Sequence, residues 1–173
     1  MTRVAPDVCE DLGFSFVLCG HGWNDVHVAC GRTTFTCRVS EIFSDTASEL
    51  AKLCRGILTN TSTSIALYDE PGGHIISVIT DEKQQHTMLL VVHELGPCLG
   101  AHEITGEETL VCSVRIKRKQ LLGLLMAELW KNYHFLQEPS FQKSRGGRVP
   151  ASALRALNDE WDAHKSLGPS FLK

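Results

Sequence analysis

The chain of 173 residues contains no apolar run close to the ~20 residues a helix needs to cross a bilayer, and its longest, Met88–Val92, has the length of a strand. The opening Met-Thr-Arg-Val-Ala-Pro-Asp lacks the apolar core of a signal peptide. A cytoplasmic location is therefore expected, with no membrane partner. Also missing are Cys-x-x-Cys, the Gly-x-Ser-x-Gly elbow, His-Glu-x-x-His, the Gly-x-x-x-x-Gly-Lys-Ser/Thr phosphate loop, and any strand leading into Gly-x-Gly-x-x-Gly. Their absence removes the sequence support for serine hydrolases, zinc proteases and nucleotide-binding folds. Aromatic residues make up only 7% of the chain, too few to suggest a base-stacking surface.

What is present has the balance of a globular protein, 43% hydrophobic and 21% charged, in a length suited to one domain. The net charge of -3 is unevenly placed. Residues 1–110 hold 6 Lys/Arg against 15 Asp/Glu, while residues 111–173 hold 11 against 5. Such a division predicts a dipolar surface that can orient a charged partner. The seven cysteines are odd in number and irregular in spacing, and several occupy positions where a small apolar residue would serve. Free buried thiols in a reducing compartment are the expectation.

Period-two alternation marks strands at Phe14–Cys19, Val26–Cys30 and Thr34–Val39, with Gly20-His21-Gly22 and Gly31-Arg32 as their turns. Ser44, Asp45 and Thr46 offer helix-capping oxygens, and Thr46-Ala-Ser-Glu49 fits a capping box. Behind them Ala47, Leu50, Leu53, Cys54, Ile57 and Leu58 recur at helical spacing. Further strands are expected at Ser64–Asp69, His74–Thr80, His86–Leu95 and Thr109–Ile116. The third of these is apolar on both faces, as a central strand would be. A long helix is expected from Arg118 to Phe135, then a loop over 137–149, then a short helix with Pro150 as its first residue. The order βββ-α-ββββ-α-α predicts an α+β fold: a mainly antiparallel sheet of about six to seven strands with two to three helices packed on it. We expect one domain over residues 1–173, with 1–12 as a loosely ordered leader. Strand order stays open, and so does dimerisation through a sheet edge.

Three chemistries can be weighed residue by residue. Cys19, His21, His27 and Cys30 offer zinc-type ligands, but alternation puts His27 and Cys30 on opposite faces of one strand, so no metal is expected. Cys98 and His102 share a glycine-rich loop and could serve a small hydrolase or transferase, although closeness in sequence supplies neither hydrogen-bond reach nor activation. The basic runs Arg115–Lys119 and Lys143, Arg145, Arg148 could meet phosphates, but the acidic balance weighs against nucleic acid. No cofactor is expected, and a module binding a small ligand between sheet and helices remains a further alternative.

Protein docking is the reading that the surface residues favour. Asp69-Glu70, Asp81-Glu82 and Glu107-Glu108 stand at turns or strand starts, and Trp23 puts an aromatic ring at another turn. Acidic turns around an aromatic residue suit a basic protein partner. The stretch from Gly20-His-Gly-Trp23, through Phe35 and Val39-Ser-Glu-Ile-Phe-Ser-Asp45, to Asp69-Glu-Pro-Gly72 resembles small bacterial immunity proteins of polymorphic toxin and contact-dependent inhibition systems. The resemblance covers roughly the first half of the chain. It implies a non-enzymatic cytosolic protein that binds a cognate toxin, such as a basic nuclease domain, and blocks its active site. It transfers no individual site residue.

Overall fold

The computed structural model describes residues 8–98, 108–145 and 147–169. Eight strands run through them: β1 (Val8–Cys9), β2 (Gly13–Gly20), β3 (Trp23–Cys30), β4 (Thr33–Ser40), β5 (Thr63–Asp69), β6 (Gly72–Thr80), β7 (Thr87–Leu95) and β8 (Glu108–Lys117). Four helices accompany them: α1 (Thr46–Thr59) after β4, then α2 (Arg118–Phe135), α3 (Pro139–Arg145) and α4 (Ala151–Ala163) after β8. The fold is α+β, but the strands form two sheets instead of one. The larger has the order β1-β8-β7-β6-β5 and the smaller β2-β3-β4. All pairings are antiparallel except that of β1 with β8, which makes the larger sheet mixed. Residues 8 and 9, expected in a loose leader, are thus a strand. Pro139–Arg145, expected in a loop, is a helix with no buried residue.

One hydrophobic core joins both sheets and three of the helices. Alternation supplies the sheet side: Phe16 and Leu18, Val26 and Val28, Cys37 and Val39 from the small sheet, and Ile65, Leu67, Ile76, Val78, Met88, Leu90, Val92 and Ile116 from the large one. The helices contribute Leu50, Leu53 and Ile57 of α1, Leu121, Leu122, Leu125 and Leu129 of α2, and Leu154, Leu157 and Trp161 of α4. Each such side chain contributes about 1.5–3 kcal/mol relative to exposure. β7 is the middle strand of the larger sheet, as its continuous apolar run predicted. α1 begins one residue earlier than its capping-box pattern suggested: Asp45 is the N-cap, and its carboxylate accepts the Ser48 N–H at 3.0 Å. At the other end Asn60 takes the left-handed conformation, φ 53°, that commonly ends helices.

Two sets of polar contacts position α2. At its start Arg118, only 7% exposed, donates to the carbonyls of Ile57 and Leu58 at the end of α1 and to that of Gln85 at 2.7 Å. Helix-end carbonyls have no intrahelical donor, and the guanidinium supplies one. Further along, Glu128 accepts the Phe16 N–H at 2.6 Å, and Asn132 donates to the Phe16 carbonyl at 2.7 Å. β2 is an edge strand, so these two side chains stand where a neighbouring strand would be. Arg145 of α3 continues the row with a 2.8 Å bond to the Leu18 carbonyl.

The cysteines depart from expectation. Cys9 and Cys30 are joined as a disulfide across the two sheets, so the chain does not hold seven free thiols. Non-local pairing brought them together, and sequence spacing carries no trace of it. Of the other five, four are buried and Cys19 is half-buried.

Replacing Arg118 with Met should remove the side-chain donor from the carbonyls of Leu58 and Gln85 and leave that of Ile57 only the Asn60 N–H, at a cost of about 3 kcal/mol in urea denaturation, with Lys recovering part of the loss. Equal stability of the Met variant and the parent would disprove this role.

Candidate functional site

The turns of the two sheets gather at one end of the molecule. Antiparallel pairing places the β2–β3 turn at His21-Gly22 beside the end of β4, where Trp23 faces Ser40 and the Glu41 N–H donates to the Gly22 carbonyl at 2.8 Å. The chain then turns through Ile42 and Phe43 into α1. Ser44 fastens this turn to β5, its hydroxyl accepting the Tyr68 N–H at 3.0 Å and donating to the Ala66 carbonyl at 3.4 Å. Ser40 donates to the Glu70 carboxylate at 2.7 Å, which brings the β5–β6 turn alongside. The Gly72 N–H in turn donates to the Cys98 carbonyl at 2.9 Å. Only glycine fits position 73: its φ is 152°, and a Cβ there would lie 2.5 Å from the Leu67 carbonyl oxygen.

This end presents an apolar knob in an acidic rim. Ile42 is 79% exposed, more than any other large apolar side chain among the described residues, and Phe43 beside it is 38% exposed. Glu41 and Asp45 flank them in the β4–α1 connection, Asp69 and Glu70 stand at the β5–β6 turn that Ser40 draws alongside, and half-buried Trp23 pairs with Ser40 on β3. Arg148 lies by Glu41 and Asp45, and Lys52 by Phe43 and Asp45. Asp25 and Arg38 pair across the outer face of the small sheet at 3.0 Å, and the guanidinium holds the Asp25 carboxyl below its usual range.

The residues singled out from the sequence divide between the two ends of the fold. Trp23, Asp69 and Glu70 belong to the gathered turns. Glu108 starts β8 at the same end of the larger sheet, about 14 Å away across three strand spacings. Glu107 lies outside the described residues. Asp81 and Glu82 are at the opposite end, a full strand length of about 30 Å away, because successive hairpin turns of an antiparallel sheet alternate ends. Asp81 is engaged there by Arg115 and by the N–H groups of Lys83 and Gln84 at 2.8 and 3.2 Å. Ile42 and Phe43 were not singled out. They break the alternation of β4 and precede the cap of α1, so neither element gives them a buried face, and that was the available signal.

The thiols and histidines make other contacts. Cys98 is 4% exposed and donates to the Gly72 carbonyl at 3.6 Å, while His102 lies outside the described residues. Burial pushes the Cys37 thiol up to about 12 and that of Cys54 higher still. Cys19 is also raised, by burial and then by Asp25. His27 bonds to Thr36 at 2.9 Å, and Cys30 is in the disulfide. Among the described residues no group of three or more His, Cys, Asp or Glu is placed to hold a metal ion. A cavity of about 310 Å³ opens at the start of α1 between Asn24, Glu41, Asp45 and Arg148. Its polar atoms largely serve the fold: Asn24 donates to Glu41 at 3.2 Å and to Thr46 at 3.1 Å, and Asp45 caps α1.

Compared with models of known protein families, with curated proteins and with solved structures, the chain matches none. No helix among the described residues is long and apolar enough to cross a membrane.

His74 of β6 gives this end a titration signature. It lies opposite Leu67 and Glu94, and its buried Nδ1 has no partner. Burial lowers its pKa from 6.5, against the opposing pull of Glu94 and Asp69. With the folded pKa below the unfolded one, the unfolded chain binds the extra proton first as pH falls. Stability should therefore be constant above about pH 6.5, decline below it by at most about 1.4 kcal/mol per pH unit, and level off under the folded pKa. Urea denaturation of His74→Leu should show a flatter profile in that window; an unchanged profile would refute the assignment.

Proposed function

We propose that this protein is a stoichiometric, non-enzymatic inhibitor of the immunity type, which docks its gathered turns onto a basic protein toxin and blocks the toxin's active site. The exposed Ile42-Phe43 knob within the rim of Glu41, Asp45, Asp69 and Glu70 is the observation that carries this reading. An apolar centre that a partner can bury, with acidic groups outnumbering the nearby Arg148 and Lys52, suits an energetic hot spot with electrostatic steering around it. A basic nuclease domain has the charge to match the rim. The resemblance of the first half to immunity proteins points the same way.

The alternative as a thiol enzyme would require Cys98 to act as nucleophile. A thiol 4% exposed that donates to a carbonyl lacks both access and an activating base in these contacts. A small-ligand module could use the cavity at the start of α1, where Asn24 already bonds to Glu41 and Thr46.

Co-expression with the product of the neighbouring toxin gene tests the proposal. A one-to-one complex should co-purify, and the toxin's activity should fall in proportion to the protein added. Ile42→Ala should weaken binding by about tenfold or more, with folding unaffected because the side chain is exposed. Glu70→Lys should slow association and reduce its salt dependence. If no complex forms with any neighbouring product, or Ile42→Ala binds as the parent does, the assigned function or the assigned surface, respectively, is wrong.

A further inference from the structure

The disulfide joins a segment whose other anchors are few: Cys9 packs against the edge of the core, and Leu12, three residues on, is buried in it. Cys9 belongs to β1, a two-residue strand on the rim of the larger sheet, and Cys30 ends β3 at the pole remote from Trp23. Besides the covalent bond, β1 has its parallel pairing with Arg115 and Ile116, a 2.7 Å ion pair between Glu10 and Lys117, and a 2.8 Å bond from Gln120 to the Glu10 carbonyl. Val8 and Cys9 are only half-buried and Glu10 is exposed, as is the ion pair, so these contacts add little on their own.

Disulfides serve as scaffolding in small chains that cannot build a sufficient core. Here the core runs through both sheets and three helices, and the five other cysteines are unpaired. The core is thus extensive without the bond, whereas β1 has few other contacts. Disulfides of that kind, when found in reducing compartments, are typically transient and responsive to redox state.

We infer that Cys9–Cys30 is a redox latch. Reduction by a dithiol leaves the core standing and frees β1 from the edge of β8, baring the edge at Arg115 and Ile116; oxidation docks the strand again. In the exchange, one thiolate of the reductant attacks the half-buried Cys9 sulfur and the S–S bond breaks, releasing Cys30 as a thiolate that takes up a proton. The reductant's second thiolate then attacks the mixed disulfide, Cys9 leaves and is protonated in turn, and the reductant departs as its own disulfide. This latch sits at the pole opposite the proposed docking surface and stands or falls independently of it.

Thiol counting and hydrogen exchange test the latch together. After oxidation with glutathione disulfide, removal of mixed disulfides and unfolding in guanidinium with a maleimide, mass spectrometry should find five labelled cysteines, and seven after dithiothreitol. On the folded protein, reduction should speed exchange at residues 8–10 and 115–117 by about tenfold or more, while the β2–β3 hairpin and α2 change by less than about twofold. Cys9→Ser/Cys30→Ser should behave as the reduced protein does, whatever oxidant is added. Seven labelled cysteines in the oxidised sample would overturn the inference. So would unchanged exchange at β1 and β8 on reduction. General loss of protection, in the reduced protein or the double variant, would also overturn it by making the bond a scaffold.

Discussion

Arg118 enters the interior without a carboxylate beside it, and the way its charge is met fixes the relative places of three elements. Its guanidinium spans the last carbonyls of α1 and the carbonyl of Gln85 in the β6–β7 connection, fastening both to the first turn of α2. From there α2 is a rigid rod rising about 1.5 Å per residue, so Asn132 lies about 21 Å further along the axis. At that distance Glu128 and Asn132 take up the N–H and carbonyl of Phe16 on the edge of the small sheet. The separation of the sheets is therefore set by one helix with polar groups at both ends. A shift of any partner would strand a buried donor or acceptor, which costs more than a typical apolar contact returns.

The same contacts explain what becomes of the charge asymmetry in the sequence. Many cations of the C-terminal third act within the fold: Arg118 on carbonyls, Arg145 on Leu18, Arg115 on Asp81, Lys117 on Glu10, Lys131 on Glu128 and Arg155 on the Tyr133 hydroxyl. The acidic residues near Ile42 stand on turns, Glu41 and Asp69 half-buried and Asp45 and Glu70 exposed. Asp45 and Glu70 take part in turn and cap bonds yet stay exposed. A split that reads as two halves of a chain becomes, in the fold, many cations engaged in structure and a subset of the acidic residues standing on the turns near Ile42. The field at that pole extends about one Debye length, ~8 Å at physiological ionic strength, far enough to guide an approaching basic surface.

Local pattern made much of this legible and non-local pairing hid the rest. α1 and α2 announced themselves through apolar spacing, and β7 through an unbroken run at Met88–Val92, because each depends mainly on its own residues facing a core. β1 could not be read: two residues have no period, and Val8–Cys9 is a strand only because Arg115 and Ile116 lie beside it. α3 was equally silent, since none of its residues is buried. The division into two sheets follows from α1 intervening between β4 and β5, and alternation alone does not say which strands become neighbours. At the candidate site the acidic turns at Asp69 and Glu70 were legible. The separation of Asp81 and Glu82 from them was legible too, to anyone who counted hairpin ends.

What distinguishes the gathered turns from ordinary loops is that they are bonded to one another before any partner arrives. Ser40 holds Glu70, the Gly22 carbonyl holds Glu41, Ser44 holds β5, and the Cys98 carbonyl holds Gly72. Ordering a loop on binding costs about 0.5–1.5 kcal/mol for each side chain immobilised, and a surface whose backbone is already cross-braced avoids part of that loss. Catalysis would put such bracing to another use, with a nucleophile raised into the open beside a base; the thiols here are withdrawn and their titrations displaced upward at Cys19, Cys37 and Cys54. The proposed docking surface therefore starts from a cross-braced backbone with an uncovered isoleucine among its turns.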